Sequence, residues 1–594
     1  MNIRRSDLQG TLALLLSKQS LGLDTETTGL RWSDRLFNLI LSDESSEYVF
    51  WFENSQAPDE LKLDRKEFFT LFKQLAEGIE EWRIQNAKFD MRMLHHEGIE
   101  LRGKIYCTYA LGRLLKNNRL GKEPYSLDAQ AQDYLGLAKD DSVKKYISEH
   151  KLKTLISMPG KERMYEAHHY DKVPFEFMSG YSARDGRLHY DLASFQQQNM
   201  DPSLKELSDV ECVVTKALYE MEVLGVKFKR DYARSAMSYE ESLLHEAKAS
   251  FRAQTGYEYL NDKALLVKIF ESEGAKIPLT SKGNPSLTDD TLEEIDSPAA
   301  EAVRKIRGIE KRISTYYSSF LFFADDNDVI HADFRQGGTE TGRLSCRDPN
   351  LQNLPAEDEE EDKSKPFWIR GCFQPRPGMM FSSVDFKQQE FRMLAAYAGE
   401  TALIKKIMEG ADVHQATADL VGISRKHAKT LNFALIYGMG NAKLARALGI
   451  TLQEAKILKL KYFSRFPRIE LFLREVASRG QKRGYIHTWS GRRQHLFSPE
   501  YSYILPNHLI QGGCADVLKY AMAKIYEGGR SEMPMILNIH DELIFEHRPE
   551  HIDIIQDYRK LMEGIFPPKN GMILETDHKI SYTSLAKWDM ESYE

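Results

Sequence analysis

The chain has 594 residues, 42% hydrophobic and 11% aromatic, which is enough for packed cores and excludes a disordered protein. Length alone predicts about four domains. The 81 basic and 88 acidic residues give a net charge of −7, which argues against a nucleic-acid coat protein but permits a basic cleft on an acidic body.

Cysteine usage and hydropathy indicate where the protein works. Five cysteines without paired spacing predict a reducing cytoplasm, with neither a disulfide framework nor a zinc site. No stretch approaches the ~18 apolar residues that a membrane span needs. The N-terminal TLALLLSK is short and flanked by charge, so we expect no removable signal, no membrane association and a cytoplasmic location.

The first clear strand lies in LGLDTETTGL, where Leu21 and Leu23 point inward and Gly29 ends the strand. Side chains two residues apart lie on one face of a strand, so Asp24 and Glu26 point the same way. Two such carboxylates suit shared coordination of a metal ion, although a solvated edge strand would also explain them.

Two later segments add acidic side chains to this pair. QNAKFDMRML carries Asn86 and Asp90 at the start of a helical pattern, and YSARDGRLHYDL carries Tyr181 and Asp185 on one helix face. Each segment alone is more often structural. Together they supply four carboxylates from three segments, a set suited to divalent cations.

Beyond Asp201-Pro202, a predicted linker or hinge, the pattern changes to long helices. The basic stretch VRKIRGIEKRISTYY forms either an ordinary solvated face or a surface that follows phosphates. TGRLSCRDPNLQNLP is a loop by composition, and its arginine, glutamine and asparagine side chains can reach phosphates or base edges. The acidic run AEDEEEDKSK, residues 356–365, is most simply a solvated loop.

A strand is predicted from Phe381 to Phe386, followed by a helix that begins around Gln388 to Glu390. Asp385 lies at the end of this strand beside the start of the helix. That is a natural position for a metal ligand, although a single acidic residue there is unremarkable.

The helix GISRKHAKTLNFALIYGMG has Ser424 as a good N-cap. Arg425, Lys429, Phe433 and Tyr437 recur every fourth residue and therefore form one stripe. The two cations lie toward the N-terminus, where the helix dipole also favours an anion. Phosphate followed by a flat ring is the shape of a nucleotide, although an amphipathic helix with solvated cations has the same periodicity.

The stretch PMILNIHDELIFEH predicts two strands with His540, Asp541 and Glu542 between them. The tripeptide is either a hairpin tip that carries its charges into water or a turn that points carboxylates into a cleft to hold a cation. Buried without a cation, an ionised carboxylate costs several kcal/mol. The tripeptide alone does not decide between these two interpretations.

The N-terminal motifs, over roughly residues 15 to 200, resemble those of the DEDD exonucleases, in the variant with a tyrosine in the third motif. The resemblance implies an RNase H-like fold that removes nucleotides from a 3′ end with two Mg²⁺ ions. It also implies that Tyr181 orients the attacking water. The implied metal ligands are Asp24, Glu26, Asp90 and Asp185.

The remainder, roughly residues 205 to 594, resembles the family A DNA polymerases of the DNA polymerase I type. TGRLS…PNLQNLP, DVHQATA, GRR and NHLIQGGCAD accompany the three main motifs DFKQQEFR, RKHAKTLNFALIYG and HDE, all in order. The fold class is therefore α/β and α+β multidomain, an RNase H-like domain followed by a right-hand polymerase. The implied divisions are exonuclease 1–204, thumb 205–325, palm 326–400, fingers 401–502 and palm 503–594.

The polymerase resemblance assigns roles to single residues. Asp385 and Asp541 would bind two catalytic Mg²⁺ ions, with Glu542 nearby in a lesser role. Lys429 is a candidate proton donor to pyrophosphate, and Glu390 would sit beneath the sugar and exclude a 2′-hydroxyl. The other implied contacts are Arg425, Lys429 and His414 with the triphosphate, Phe433 and Tyr437 with sugar and base, Arg343, Gln511 and His540 with the primer terminus, and Asn507, Arg492 and Arg493 with the template or minor groove.

The chain departs from the usual family motifs at a few positions. The first palm motif commonly reads Asp-Tyr-Ser-Gln-Ile-Glu, and here Phe386, Lys387 and Gln389 replace three of those residues. None of the replacements removes a metal ligand, but Lys387 adds positive charge near the cleft. Ala434 stands where a glycine is usual, and its methyl group bears on helix closure, fidelity and rate.

The expected function is a DNA polymerase with a proofreading exonuclease. No 5′-nuclease domain precedes Asp24, which favours phage DNA replication over a repair polymerase. A nuclease with a degenerate polymerase-like clamp and a DNA-binding protein without turnover are the rivals. Both predict the loss of one or more of Asp385, Asp541, Arg425 and Lys429, and all four are present.

The expected partners follow from this function. They are primer-template DNA and dNTPs, and a replicative role adds a helicase-primase and a single-strand-binding protein. Some phage relatives carry a thumb insertion that recruits thioredoxin, but the interval from MEVLGV to STYY is too short for one, so we expect no thioredoxin. We also expect a monomer.

Overall fold

The computed structural model describes residues 1–121, 123–138, 140–157, 164–280, 282–355, 365–436 and 438–593. Tyr437 and most of the predicted acidic loop, residues 356–364, lie outside the described residues. Among the described residues, no helix combines the length and the apolar character needed to cross a membrane. All five cysteines carry free, buried thiols.

The N-terminal domain is built on a mixed five-stranded sheet. The spatial order of its strands is Glu47–Trp51, Leu36–Ser42, Ser20–Thr27, Glu81–Ile84 and Lys104–Cys107. The first three strands are antiparallel, whereas the last two run parallel to the central strand. The predicted strand through LGLDTETTGL is this central strand, so its acidic residues lie in the middle of the sheet and not at a solvated edge.

Helices cover the N-terminal sheet because the strands bury side chains on both faces. The α-helices of this domain are Leu8–Leu16, Arg65–Gly78, Lys88–His95, Thr108–Leu115, Leu127–Gln130, Ser142–Glu149 and Phe175–Asn199. A separate hairpin pairs Lys153–Ser157 with Met164–His168. Two of these helices, Lys88–His95 and Phe175–Asn199, pack against the central strand and bring further acidic residues to it.

The C-terminal part is centred on an antiparallel sheet. The spatial order of its strands is Met535–Ile539, Glu542–His547, Met380–Phe386, Thr576–Ser581 and Glu591–Ser592. The predicted strand that carries Asp385 is central, and the hairpin predicted around His540 is its direct neighbour. Every residue of these three strands is buried except Asp385, which is exposed, and Glu542, which is half-buried, so a packed sheet holds the acidic turn.

Helices and small two-stranded ribbons complete the C-terminal part. Its α-helices are Lys205–Leu224, Arg230–Thr255, Lys263–Ser272, Asp289–Glu293, Pro298–Lys311, Ser318–Phe323, Gln389–Ala398, Thr401–Met408, Val413–Val421, Arg425–Ile436, Asn441–Leu448, Leu452–Arg465, Pro467–Arg483, Leu505–Glu527 and Asp553–Gly564. The ribbons pair Val226–Lys227 with Val329–Ile330, Asp333–Arg335 with Ser345–Arg347, and Tyr485–His487 with Arg493–His495.

The predicted thumb range, 205–325, packs in two places. Residues between 247 and 313 form a small hydrophobic core of their own. Helix Lys205–Leu224 instead packs against helix Leu505–Glu527 and against strand Lys104–Cys107 of the N-terminal sheet. This helix therefore lies between the two domains, which the linear sequence pattern does not indicate.

A buried charge network fixes this helix to the C-terminal part. Glu211 accepts hydrogen bonds from Arg492 at 2.6 Å and from Lys519 at 2.8 Å, and Arg492 also donates to Asp516 at 2.6 Å. Each of these four side chains is at most 4% exposed. Burial alone would raise the pKa of Glu211, but Lys519 and Arg492 lower it to about 2.

The prediction of Arg492 as a template or groove contact does not agree with this placement. Its guanidinium is enclosed in the network, and the residue is only 4% exposed. The physical reason is that two carboxylates from distant segments compensate the charge in the interior, which sequence spacing cannot reveal.

Glu211→Ala is expected to destabilise the protein by about 3–5 kcal/mol, because it leaves Arg492 and Lys519 buried without their counter-charge. The apparent melting temperature, followed by circular dichroism, should fall accordingly. The surface variant Glu241→Ala, on an exposed position of helix Arg230–Thr255, should change stability by no more than about 0.5 kcal/mol. Equal melting temperatures for the two variants would contradict this role of Glu211.

Candidate active sites

The N-terminal carboxylate cluster consists of Asp24, Glu26, Asp90 and Asp185. The first two lie on the central strand Ser20–Thr27, two residues apart as the strand period predicts. Asp90 comes from the first turn of helix Lys88–His95, and Asp185 from the middle of helix Phe175–Asn199. The structure therefore brings all four predicted residues together from three segments.

Burial and mutual repulsion make the cluster a poor place for unopposed negative charge. Burial, reinforced by the neighbouring carboxylates, raises the pKa of Glu26 and of Asp90 well above their ordinary values. The same causes raise the pKa of Asp185 to about 7, and burial raises that of Asp24. A bound cation would remove both penalties.

Tyr181 lies one helical turn before Asp185 on the same face, as predicted. Burial, together with the charges of Glu26 and Asp185, raises the pKa of Tyr181. The phenol therefore stays protonated and remains a hydrogen-bond donor at the edge of the cluster.

Two neighbours of the cluster were not predicted from the sequence. His189 holds its Nδ1 at 2.6 Å from the carbonyl oxygen of Leu23 and its Nε2 at 3.7 Å from Asp24. Thr25 donates to Asp90 through its backbone N–H at 3.0 Å and its hydroxyl at 2.7 Å. His189 lies four residues beyond Asp185, so the spacing that selects Tyr181 and Asp185 could also have found it.

The C-terminal carboxylate cluster consists of Asp385, Asp541 and Glu542. Asp385 lies directly opposite Glu542 on the adjacent antiparallel strand, and Asp541 occupies the turn before that strand. His540 has a left-handed backbone, with φ of 57°, which lets the chain reverse before Asp541. His540 and Asp541 therefore form the turn and Glu542 begins the next strand, which places both carboxylates beside the central strand.

This second cluster has the same electrostatic character as the first. Burial and repulsion from Asp541 and Glu542 raise the pKa of Asp385 to about 8. Burial raises the pKa of Asp541 to about 6. Ser383 donates a hydrogen bond to Glu542 at 2.5 Å, and Arg370 lies 3.6 Å from the same carboxylate.

Both clusters have the donor chemistry of a hard divalent cation, since carboxylate oxygens are the ligands that Mg²⁺ prefers. Within the described residues, however, no three acidic, histidine or cysteine side chains already converge as a formed metal site. Some of the carboxylates instead accept hydrogen bonds from nearby hydroxyl groups, Asp90 from Thr25 and Glu542 from Ser383. Metal binding at either cluster therefore requires small side-chain movements.

Arg343 and Glu390 form an ion pair beside the C-terminal cluster. Glu390 lies in the first turn of helix Gln389–Ala398, which begins where the sequence predicts it. Arg343 and His540 line a small cavity together with Asp541. These predicted residues therefore lie together at one side of the cluster.

The predicted stripe lies on helix Arg425–Ile436, with the Ser424 hydroxyl accepting from the backbone N–H of His427 at 3.2 Å. Arg425 and Lys429 are exposed, and Arg425 pairs with Asp412 at 3.1 Å. Phe433 follows on the same face and is 40% exposed, whereas a core aromatic would be buried.

His414 is the one predicted triphosphate contact that is buried. It lies on helix Val413–Val421, 5.7 Å from the ring of Phe433, with Asn432 within hydrogen-bond distance of its Nδ1 at 3.1 Å. Burial lowers the pKa of His414, so the ring is neutral at physiological pH. The His414 ring therefore lies next to the Phe433 ring on the buried side of the stripe.

The remaining predicted contacts lie on or near helix Leu505–Glu527. Asn507 and Gln511 are one turn apart in its N-terminal half, and the Asn507 amide nitrogen is buried without a hydrogen-bond partner among the described residues. Arg493 pairs with Asp201 at the predicted hinge. It also lies 5.1 Å from the centre of the Tyr485 ring.

Magnesium is expected to stabilise the protein more at pH 8 than at pH 6. The raised pKa values mean that the folded, metal-free protein holds protons which the unfolded chain releases, so its stability falls as pH rises from about 4 toward 8. A cation competes with those protons and binds more tightly as they leave. A magnesium-induced rise in melting temperature that is equal or larger at pH 6 would contradict this.

Comparisons with known proteins agree with the two-part architecture. Residues 231–589 match the family model described as DNA polymerase family A, and residues 4–199 match the one described as 3′-5′ exonuclease. The POL domain of Pol1 from M. smegmatis, solved with DNA primer-template and dNTP, superposes with a TM-score of 0.80 over 98% of this chain and 99% of that chain. At 22% identity this likeness shows the fold alone.

Relatives of known name include bacterial and phage proteins. DNA polymerase I of Synechocystis sp. is 30% identical over 519 residues, which cover 79% of this chain and 49% of that protein. DNA polymerase I of Borreliella burgdorferi is 26% identical over 94% of this chain and 61% of its own length. DNA polymerase DpoZ of Salmonella phage PMBT28 is 26% identical over 88% of this chain and 89% of its own length. The chain thus spans about half to three fifths of the two bacterial relatives.

Proposed function

Because the chain belongs to DNA polymerase family A and carries a 3′-5′ exonuclease domain before the polymerase domain, we propose that it copies a DNA template and removes mispaired 3′ ends. The observation that carries this proposal is the presence of two separate clusters of mutually repelling carboxylates, one in each domain. Two independent cation-dependent reactions are the simplest use of such an arrangement.

In the polymerase domain, Asp385 and Asp541 would hold the metal ions. Two Mg²⁺ ions held by these carboxylates would supply activation of the primer 3′-hydroxyl and stabilisation of the departing pyrophosphate. Glu542 has a lesser role, since Ser383 and Arg370 already engage its carboxylate.

The exposed stripe on helix Arg425–Ile436 supplies the complementary contacts to dNTP. Arg425 and Lys429 bind the triphosphate, and Lys429 is the candidate proton donor to pyrophosphate because its ammonium group is exposed on that face. Phe433 packs on the sugar and base, and the buried His414 braces its ring. The proposed role of Tyr437 rests on its place four residues farther along the sequence.

Primer and template would be held beside the C-terminal cluster. Arg343 and His540 lie next to Asp541, where the primer 3′ end must sit for reaction, and Gln511 would reach the same end. The Asn507 amide nitrogen, which has no hydrogen-bond partner in the described part of the chain, would bind a base edge or a sugar. Arg493 would contact the template after release from Asp201.

In the exonuclease domain, Asp24, Glu26, Asp90 and Asp185 would hold two further Mg²⁺ ions. Tyr181, kept protonated by its surroundings, would orient the attacking water. The reaction is hydrolysis of the terminal phosphodiester, so a nucleoside monophosphate leaves from the 3′ end.

Glu390→Ala is expected to admit ribonucleotides more readily, with a loss of about 1–3 kcal/mol of sugar discrimination. Glu390 would exclude a 2′-hydroxyl by its volume, and its ion pair with Arg343 keeps the side chain in place. The measurement is the ratio of ribonucleotide to deoxynucleotide incorporation. Glu390→Gln, which keeps the volume, is the matched control and should retain most of the discrimination; equal ratios for both variants would contradict the steric role.

Phage DNA replication is the proposed context, supported by a phage relative, DpoZ, that this chain matches over 89% of its length. A replicative enzyme of this kind works in the cytoplasm of the infected cell as a monomer, with a helicase-primase and a single-strand-binding protein and without thioredoxin. Adding thioredoxin should therefore leave product length unchanged in a processivity assay.

Primer extension on matched and mismatched 3′ ends tests the whole proposal. With Mg²⁺ and dNTPs the matched primer should be extended to the template end, and the mismatched primer should be shortened first and then extended. Chelation of Mg²⁺ should stop both reactions. A protein that binds the duplex but neither extends nor shortens it would refute the proposal.

A further inference from the structure

Three acidic residues form a row across the C-terminal sheet. Asp385 on strand Met380–Phe386 faces Glu542 on one neighbouring strand and Asp577 on the other, in direct register. Directly opposite residues of antiparallel strands point to the same face, so the three carboxylates share one side of the sheet. Asp577 belongs to none of the motifs singled out in the sequence.

A cavity of about 240 Å³ opens beside this row. Its other walls are basic and come from three different segments. They are Arg370, Lys579 and Lys587. Lys579 lies opposite Ser383, so it is one pleat repeat, about 6.8 Å, back along the central strand from Asp385.

Two of the three acidic residues in the row, Asp577 and Glu542, have partners other than Lys579. Asp577 pairs with Lys387 at 3.1 Å, and Glu542 accepts from Ser383 and lies near Arg370. Lys579, by contrast, makes no ion pair to any carboxylate in the described part of the chain. Its exposed ammonium group therefore faces the cavity as a positive charge that a ligand can use.

We propose that this cavity is a subsite for a phosphodiester group of the primer strand, upstream of the 3′ end, with Lys579 as its principal contact. The inference rests on the proposed polymerase function. If the 3′-hydroxyl lies at Asp385, the primer backbone must leave along the sheet, and a cation one pleat repeat away meets the phosphates that precede the terminus. Arg370 and Lys587 enclose the same phosphate from the other walls.

Pyrophosphate or the incoming triphosphate is the other phosphate source at such a site. The cations of helix Arg425–Ile436 already provide for the triphosphate, and they belong to a different segment of the chain from the cavity walls. Ser383 and Lys579 also lie back along the strand from its end, whereas the triphosphate must approach the end itself. The primer strand is therefore the occupant that fits.

The test combines one protein substitution with one neutral linkage in the DNA. Primers carry a single methylphosphonate at the first to the fifth linkage from the 3′ end, and duplex binding is measured by fluorescence anisotropy. The protein carries Asp24→Ala and Glu26→Ala so that the DNA ends stay intact. In this background Lys579→Gln is compared with the conservative variant Lys579→Arg and with Lys73→Gln on the outer helix Arg65–Gly78.

In the protein that keeps Lys579, we expect a methylphosphonate at one of these linkages to weaken duplex binding. In Lys579→Gln, a methylphosphonate at that same linkage should not change binding further, whereas the other four linkages should behave as in the parent. Lys579→Gln should also lower the slope of log K against log salt by about one, so that its loss of affinity between 50 and 200 mM salt is about fourfold smaller than that of its parent. Lys579→Arg should restore both effects, and Lys73→Gln should behave like the parent protein.

If neutralising each linkage weakens duplex binding by the same factor in Lys579→Gln as in its parent, the inference is overturned. Unchanged DNA binding together with a weaker inhibition by pyrophosphate would also overturn it, because the cavity would then serve the leaving group. The extension of matched primers by the unmodified protein is measured in parallel. If the unmodified protein extends matched primers but the effects of Lys579→Gln and of the neutral linkages simply add, only the subsite is refuted. If the unmodified protein does not extend matched primers, the polymerase function itself is refuted.

Discussion

Asp541→Ala is expected to abolish nucleotide incorporation, with a loss of at least about 10³-fold, while leaving 3′ degradation of single-stranded DNA largely intact. Asp541 and Asp385 are the two carboxylates that would hold the metal ions of the polymerase site. The ions stabilise several kcal/mol of transition-state charge, and about 4 kcal/mol corresponds to a thousandfold in rate. The exonuclease carboxylates lie in another domain and should not respond.

Primer extension and release of labelled nucleotide from a single strand are the two measurements for this variant. Asp557→Ala, an exposed acidic residue in the same part of the chain, is the matched control and should extend primers like the parent. Substantial extension by Asp541→Ala would remove Asp541 from the site. Loss of degradation as well, in a variant with an unchanged circular dichroism spectrum, would show that the two reactions share one site.

The double variant Asp24→Ala with Glu26→Ala should have the reverse phenotype, with exonuclease activity reduced by about 10³-fold or more and matched primers extended normally. Both carboxylates lie in a cluster that is unfavourable without a cation. Their removal relieves repulsion and should not destabilise the metal-free protein.

Release of the 3′-terminal nucleotide from a mismatched primer measures this second variant. Glu60→Ala, at an exposed position in the same domain, should retain the activity of the parent. Retained excision by the double variant would contradict the proposed ligand set. A loss of matched extension would mean that the N-terminal cluster also serves polymerisation.

The local sequence pattern was sufficient to predict the strand and the helix that carry residues of the N-terminal carboxylate cluster. Period-two alternation placed Asp24 and Glu26 on one strand face, and the spacing of four placed Tyr181 with Asp185, because these relations depend only on neighbours in the chain. The same spacing reaches His189, but spacing alone does not distinguish a histidine beside a site from a structural one.

Long-range pairing was beyond the sequence. Arg492 is buried because Glu211, 281 residues earlier, and Asp516 meet it in the interior. Asp577 joins the acidic row only because its strand pairs with the one that carries Asp385. Neither relation leaves a trace in spacing or composition, so the sequence indicates which acidic residues share an element better than it indicates what surrounds them.

Complementation between the two variants tests the central claim most directly, namely that one chain carries two separate active sites. A mismatched primer on its template is incubated with dNTPs and Mg²⁺ and with Asp541→Ala, with the Asp24→Ala and Glu26→Ala double variant, or with both. Full-length product that carries the corrected base should appear with the mixture and with the parent protein, and with neither variant alone. Corrected product from a single variant, or none from the mixture of two folded variants, would contradict the account.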